Sequence, residues 1–114
     1  MSLTKEQIQA NAIKSSLHKE HVPEWGSEVY IKKLGAAERL ALAEALARSM
    51  KLVEYDSVIV QHCLADETGA RIYGEDDLAA VMALPDYAVI ERLARIVDKI
   101  NLLKEEAVEE LEKN

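Results

Sequence analysis

The stretch AAERLALAEALARSM, from Ala36 to Met50, decides the fold. Ala and Leu, strong helix formers, recur through it at three- and four-residue intervals, while Glu38, Arg39, Glu44 and Arg48 fall largely on other faces. The pattern predicts a helix over Ala36–Met50. Toward the C-terminus a further helix is expected from Asp56 as N-cap, carrying Ile59, Val60, Cys63 and Leu64, until Asp66-Glu67-Thr68-Gly69 breaks it with Gly69 in the left-handed region. Arg71-Ile72-Tyr73 is too short for more than a β-bridge. Glu75-Asp76-Asp77 then puts negative charge at the positive N-terminus of a helix over Leu78–Leu84, which Pro85 ends. Asp86 is expected to cap a final helix with a stripe of Val89, Leu93, Ile96, Val97, Ile100, Leu103, Ala107 and Leu111. At about 1.5 Å per residue its roughly 28 residues would extend about 40 Å, so its end would project beyond a core of this size.

Toward the N-terminus, Thr4 and Gln7 stand at capping-box spacing and Leu3 can staple onto Ile8, which predicts a helix from Lys5 to about Ile13. His18 to Val22 shows no helical stripe. Pro23 followed by Glu24-Trp25-Gly26-Ser27 reads as a turn with Gly26 free to take positive φ. Glu28 to Leu34 supplies a strand with Val29 and Ile31 on one face and Glu28, Tyr30 and Lys32 on the other. The expected fold is therefore mainly α: a single small domain over residues 1–114, with four to five helices and a β-hairpin near the N-terminus. Residues 1–35 form the first helix plus hairpin, and 36–114 the helical part.

Composition agrees. The chain has 114 residues, enough for one modest core, and its aromatic content is 4% with no Phe, which favours helix on helix over a β-sandwich. A net charge of −7 argues against binding to the phosphate backbone of nucleic acid. One cysteine, Cys63, cannot form an internal disulfide, and the start of the chain has no secretory signature. The longest apolar run, Leu78 to Leu84, is far short of the roughly 20 residues of a spanning helix. A cytoplasmic protein without membrane contact is expected.

The sequence offers little for catalysis. Cys63 adjoins His62, but neighbouring helix residues point about 100° apart and no third group orients the imidazole, so a plain buried thiol is expected. His18 and His21 fall on opposite faces of a strand, the wrong arrangement for a metal. In Asp66-Glu67-Thr68-Gly69-Ala70-Arg71 the glycine comes fourth and Ala70 has no side-chain oxygen, so the segment reads as a surface turn rather than a calcium loop. No glycine-rich phosphate cradle is present. The expectation is a non-enzyme with no cofactor and no metal. What stands out is the hairpin: Trp25 at its tip can cover the core or anchor an interface, and its edge must pack or pair.

The order of several blocks carries a resemblance. Leu3-Thr4-Lys5-Glu6-Gln7-Ile8, Val22-Pro23-Glu24-Trp25-Gly26, Glu28-Val29-Tyr30-Ile31, Ala37-Glu38-Arg39, Leu64-Ala65-Asp66-Glu67-Thr68-Gly69, Ile100-Asn101-Leu102-Leu103 and Val108 to Asn114 follow one another across nearly the whole chain. In this order the chain resembles the tail assembly chaperones of long-tailed, non-contractile bacteriophages. It departs from them at Gly35 and Gly74, where relatives tend to carry a Ser or Thr helix cap, and in a longer segment before Val22.

The resemblance implies a protein of phage morphogenesis in the host cell cytoplasm. Such a protein binds the tape measure protein, a long helical and apolar chain, keeps it soluble while the tail tube assembles around it, and is absent from the finished virion. It also implies a longer product made by ribosomal frameshifting that recruits the major tail protein, and self-association into a homo-oligomer. Under this reading the protein-binding residues are expected to be Trp25, Val29, Tyr30 and Ile31 on the hairpin, with Leu103, Ala107 and Leu111 on the last helix. Two other classes compete: a structural tail or head-to-tail component retained in the virion, and an acidic DNA mimic that inhibits a host enzyme. A mimic needs carboxylates spaced like phosphates on one face, whereas here they gather at helix starts and in the C-terminal tail.

Overall fold

The computed structural model describes residues 2–103. The elements run α1 (Lys5–Ser15), β1 (Leu17–Val22), a 3-10 turn (Pro23–Trp25), β2 (Ser27–Lys32), α2 (Ala36–Ala47), α3 (Leu52–Cys63), β3 (Leu64–Ala65), α4 (Leu78–Met82) and α5 (Tyr87–Asn101). The mainly α domain with an N-terminal hairpin is therefore the observed fold. α1 begins with the expected capping box: Gln7 N–H donates to Thr4 Oγ1 at 3.1 Å and Thr4 N–H to Gln7 Oε1 at 2.9 Å. The helix runs on to Ser15, and none of its residues is buried.

The hairpin pairs antiparallel from Leu17↔Lys32 to Val22↔Ser27. Gly26 takes φ 65° at the turn, where a Cβ would be strained. Ile31 and Val22 are fully buried, and Val29 leans on the same core. The sheet gains a third strand that the sequence does not announce. Leu64 and Ala65 pair with Ile31 and Tyr30, and Ala65 also bridges to Arg71. Beyond them Asp66 Oδ1 accepts the N–H groups of Thr68 at 2.8 Å and Ala70 at 3.1 Å, turning the chain away. Gly69 completes the turn at φ 88°, and a Cβ there would also come within 3.1 Å of Ile13 Cγ2.

α3 is the centre of the molecule, packed by α2, α4 and α5. Every residue from Asp56 to Ala65 is buried. The expected start at Asp56 is corrected: the helix begins at Leu52, one turn earlier, with Lys51 as N-cap. Asp56 does not cap because its carboxylate faces α5, where Tyr87 Oη donates to Oδ2 at 2.5 Å and Arg95 donates to Oδ1. Arg95 Nε also lies 3.3 Å from Asp98 Oδ2.

Three other expectations change. α2 stops at Ala47 rather than Met50. Asp86 precedes α5 as expected but takes φ 67° and makes no side-chain cap; Asp77 likewise spends its carboxylate on Gly74 N–H, at 2.7 Å, rather than on the first turn of α4. The long final helix is interrupted: α5 ends at Asn101, and Leu102 turns left-handed at φ 57°. The amphipathic stripe continues in the sequence, but Asn101 uses its side chain to hold β2. Its Oδ1 accepts from Leu34 N–H at 2.7 Å and its Nδ2 donates to Lys32 O at 3.0 Å.

The α3–α5 clamp generates a stability test. Arg95→Ala strands a fully buried carboxylate and is expected to cost about 3 kcal/mol. Tyr87→Phe removes one hydrogen bond to a charged group and is expected to cost about 1.5–2 kcal/mol. Urea denaturation of both variants and the double mutant checks the order and their coupling.

Candidate functional site

The residues expected to bind a partner divide by burial. Ile31 is fully buried in the sheet and is a core residue, which corrects its assignment to an interface. Val29 and Leu103 are half-buried and pack on the same core, so each contributes to folding first. Tyr30, on the opposite face of β2, is half-buried, and Trp25 at the turn is 36% exposed. Ala107 and Leu111 lie outside the described residues. Of the expected set, Trp25 and Tyr30 are the side chains best placed to meet another molecule.

The tip that carries Trp25 is held to α5. Arg92 grips the Glu24 carboxylate with Nη1 and Nη2, which donate to Oε2 at 2.8 Å and to Oε1 at 2.7 Å. That hydrogen bonding holds Glu24 down at about 2, well below the usual carboxylate value.

A second exposed apolar set was missed by sequence reasoning. Leu3, Ile8 and Ile13 on and before α1 are between 50% and 60% exposed, and Met50, Leu52 and Val53 stand out at the α2–α3 corner. The staple pattern accounted for Leu3 and Ile8 locally. The informative feature was negative: α1 lacks the broad apolar stripe that a core helix shows.

The groups with chemical potential are engaged in structure. Cys63 is fully buried, and burial pushes its thiol up to about 12. Burial, followed by the nearby Arg71 charge, pushes His62 below its ordinary value. His62 borders a cleft with Ala37, Glu38, Ala41, Arg71 and Glu75. Within it Arg71 donates Nη1 to Glu75 at 2.7 Å and Nη2 to Gln61 O at 3.3 Å. His18 meets Glu20 at 3.0 Å on one face of β1. Among the described residues no group of three His, Cys, Asp or Glu side chains converges on a metal position, and no helix is long and apolar enough to cross a membrane.

A shallow groove lies beside the sheet, between β2 and the loop after β3. Glu28, Val29, Tyr30, Ala65, Asp66, Glu67, Thr68 and Ile72 line it. Its floor is apolar and its rim acidic. Asp66 is held ionised below its usual range by hydrogen bonds from the Thr68 side chain and backbone.

Two measurements follow. Cys63 should resist thiol reagents in the native protein near neutral pH and react fully in denaturant; native labelling at the denatured rate would contradict its burial. In an NMR titration Glu24 should titrate near 2, rising toward the ordinary 4.5 in Arg92→Ala. Because its folded value is depressed, the stability Glu24 adds is complete above about 4.5 and is lost as pH falls through about 2.

Comparison with protein families, with characterised proteins and with solved structures finds no match to this chain.

Proposed function

We propose that this protein is a tail assembly chaperone of a long-tailed phage, which masks the apolar surface of the tape measure protein while the tail tube assembles. The observation that carries the reading is α1: an eleven-residue helix with no buried residue, presenting Ile8 and Ile13 to solvent. An isolated helix of this length is marginal in water and gains most by laying its apolar side chains against a partner. The order of sequence blocks that resembles the chaperone family supplies the partner, a long apolar helix. The net charge of −7 supports the same role, because an acidic coat keeps a masked apolar chain dispersed. Masking of this kind is stoichiometric and needs no catalytic group.

The DNA-mimic reading draws less support from the geometry. Glu24, Glu38 and Glu75 are paired with Arg92, Lys32 and Arg71, and Asp56 is buried beneath Arg95. Carboxylates committed to internal cations cannot serve as an array of free phosphates.

Co-expression tests the proposal. The tape measure protein should stay in the soluble fraction with this chain and precipitate without it; unchanged solubility would remove the reading. Leu3→Lys combined with Ile8→Lys should leave the circular dichroism spectrum and denaturation midpoint unchanged, since surface substitutions cost within about 0.5 kcal/mol, yet lower the soluble fraction of the partner. Mass spectrometry of purified virions separates a chaperone, expected to be missing, from a retained tail component.

A further inference from the structure

The hydrogen-bond parity of β2 leaves one position open on the side that faces β3. Lys33 N–H donates to Ser16 O at 2.7 Å, in register with the Leu17↔Lys32 pairing, so odd-numbered residues of β2 turn their backbone groups toward β1. Even-numbered residues face the other way. Tyr30 lies opposite Ala65 of β3, and the Lys32 carbonyl accepts from Asn101 Nδ2 at 3.0 Å. Glu28 is the even position left over. Continuing the register would bring Glu67 opposite it, but the Asp66 turn has already carried the chain away. Among the described residues no strand pairs with Glu28 on this side. Its N–H and C=O therefore face the groove bounded by Tyr30, Asp66, Glu67 and Ile72.

We propose that this groove receives an extended, Lys- or Arg-rich segment of a partner protein as an added strand on β2. The N–H and C=O that Glu28 turns outward are satisfied side by side by an extended chain and not by a helix, whose own backbone is already paired. Charge selects the partner. Glu28, Asp66 and Glu67 rim the groove, no cationic residue lines it, and Lys19 offsets only Glu28, at 2.9 Å. Tyr30 and Ile72 offer apolar contact to every second side chain of the incoming strand. A second copy of this chain would bring the same acidic rim and a net charge of −7. Residues 104–114 carry five Glu against two Lys and match the rim in sign. This site goes beyond the helix-masking role proposed above and does not depend on it.

The test uses a short peptide of alternating Lys and Val, with an alternating Glu and Val peptide as control. At saturation the Lys–Val peptide should slow amide hydrogen exchange of Glu28 about tenfold or more and bind at least about tenfold more tightly than the control. Glu28→Pro removes the groove-facing donor without touching the bonds to β1, and should weaken binding about tenfold in a folded protein. Exchange at Glu28 that stays as fast with peptide as without it would overturn the proposal, as would equal binding by folded Glu28→Pro or no preference for the basic peptide. Should the proline variant fail to fold, the exchange measurement decides alone. Protection of Glu28 that rises with protein concentration in the absence of peptide would assign the edge to a second copy and overturn the choice of occupant. None of these outcomes bears on tape measure solubility, so the two proposals fail separately.

Discussion

The burial of α3 on all sides beyond its first turn constrains everything around it. A helix enclosed from Asp56 to Cys63 carries Asp56, Ser57, Gln61 and His62 into the interior along with its Val and Ile, and a buried polar group without a partner is costly. Ser57 donates back to Val53 O within the helix at 2.8 Å. Gln61 reaches the carbonyls of Gly74 and Glu75, at 2.8 and 3.2 Å, and so fixes the irregular segment before α4. Asp56 requires both Tyr87 and Arg95, which sets the rotation of α5 against α3. Apolar contacts would tolerate sliding of one helix on another; these hydrogen bonds each allow one geometry.

α5 then transmits that placement to the sheet. Near its start Arg92 holds the hairpin tip through Glu24, and at its end Asn101 holds the base of β2 while its own carbonyl accepts from Arg39 at 2.7 Å. A two-stranded ribbon is marginal alone; here it is fastened at both ends to one helix, with Val22 and Ile31 sealing the face between. The two polar fastenings are not equal. The Glu24–Arg92 pair is part-exposed and screened by water, so it orients more than it stabilises. Asn101 is only 5% exposed, and its four partners are the backbone groups of Leu34, Lys32 and Val97 and the Arg39 guanidinium.

Local rules read well where local chemistry decides. The Thr4–Gln7 box, the Gly26 and Gly69 turns and the inward Val29 and Ile31 all follow from residue type and spacing. Failure came where a residue had a tertiary claim on it. Asp56 looks like a helix cap until Arg95 and Tyr87 arrive from 31 or more residues away. Asn101 interrupts no pattern in the sequence, yet it ends α5 by serving β2. β3 is two residues long, too short for any alternation to register, and exists because Tyr30 and Ile31 offer it an edge. The candidate binding surface was legible only in part: Trp25 stands out as the sole Trp, whereas the exposure of Ile8 and the orphaned edge at Glu28 depend on what fails to pack beside them.

What fails to pack is itself organised. α1 has no buried residue and touches the Gly69 turn through Ile13, so its order leans on the capping box, whose two hydrogen bonds satisfy donors that would otherwise be orphaned. At its other end Ser15 and Ser16 return their hydroxyls to Ala12 and Ile13 carbonyls, at 3.2 and 2.8 Å, closing the last turn. Caps at both termini favour the helical form of a short segment that is marginal alone, so less conformational entropy is lost when a partner docks. No residue of α1 belongs to the core cluster. That independence lets the apolar positions of α1 be spent on recognition, because no packing requirement inside the domain competes for Leu3 or Ile8.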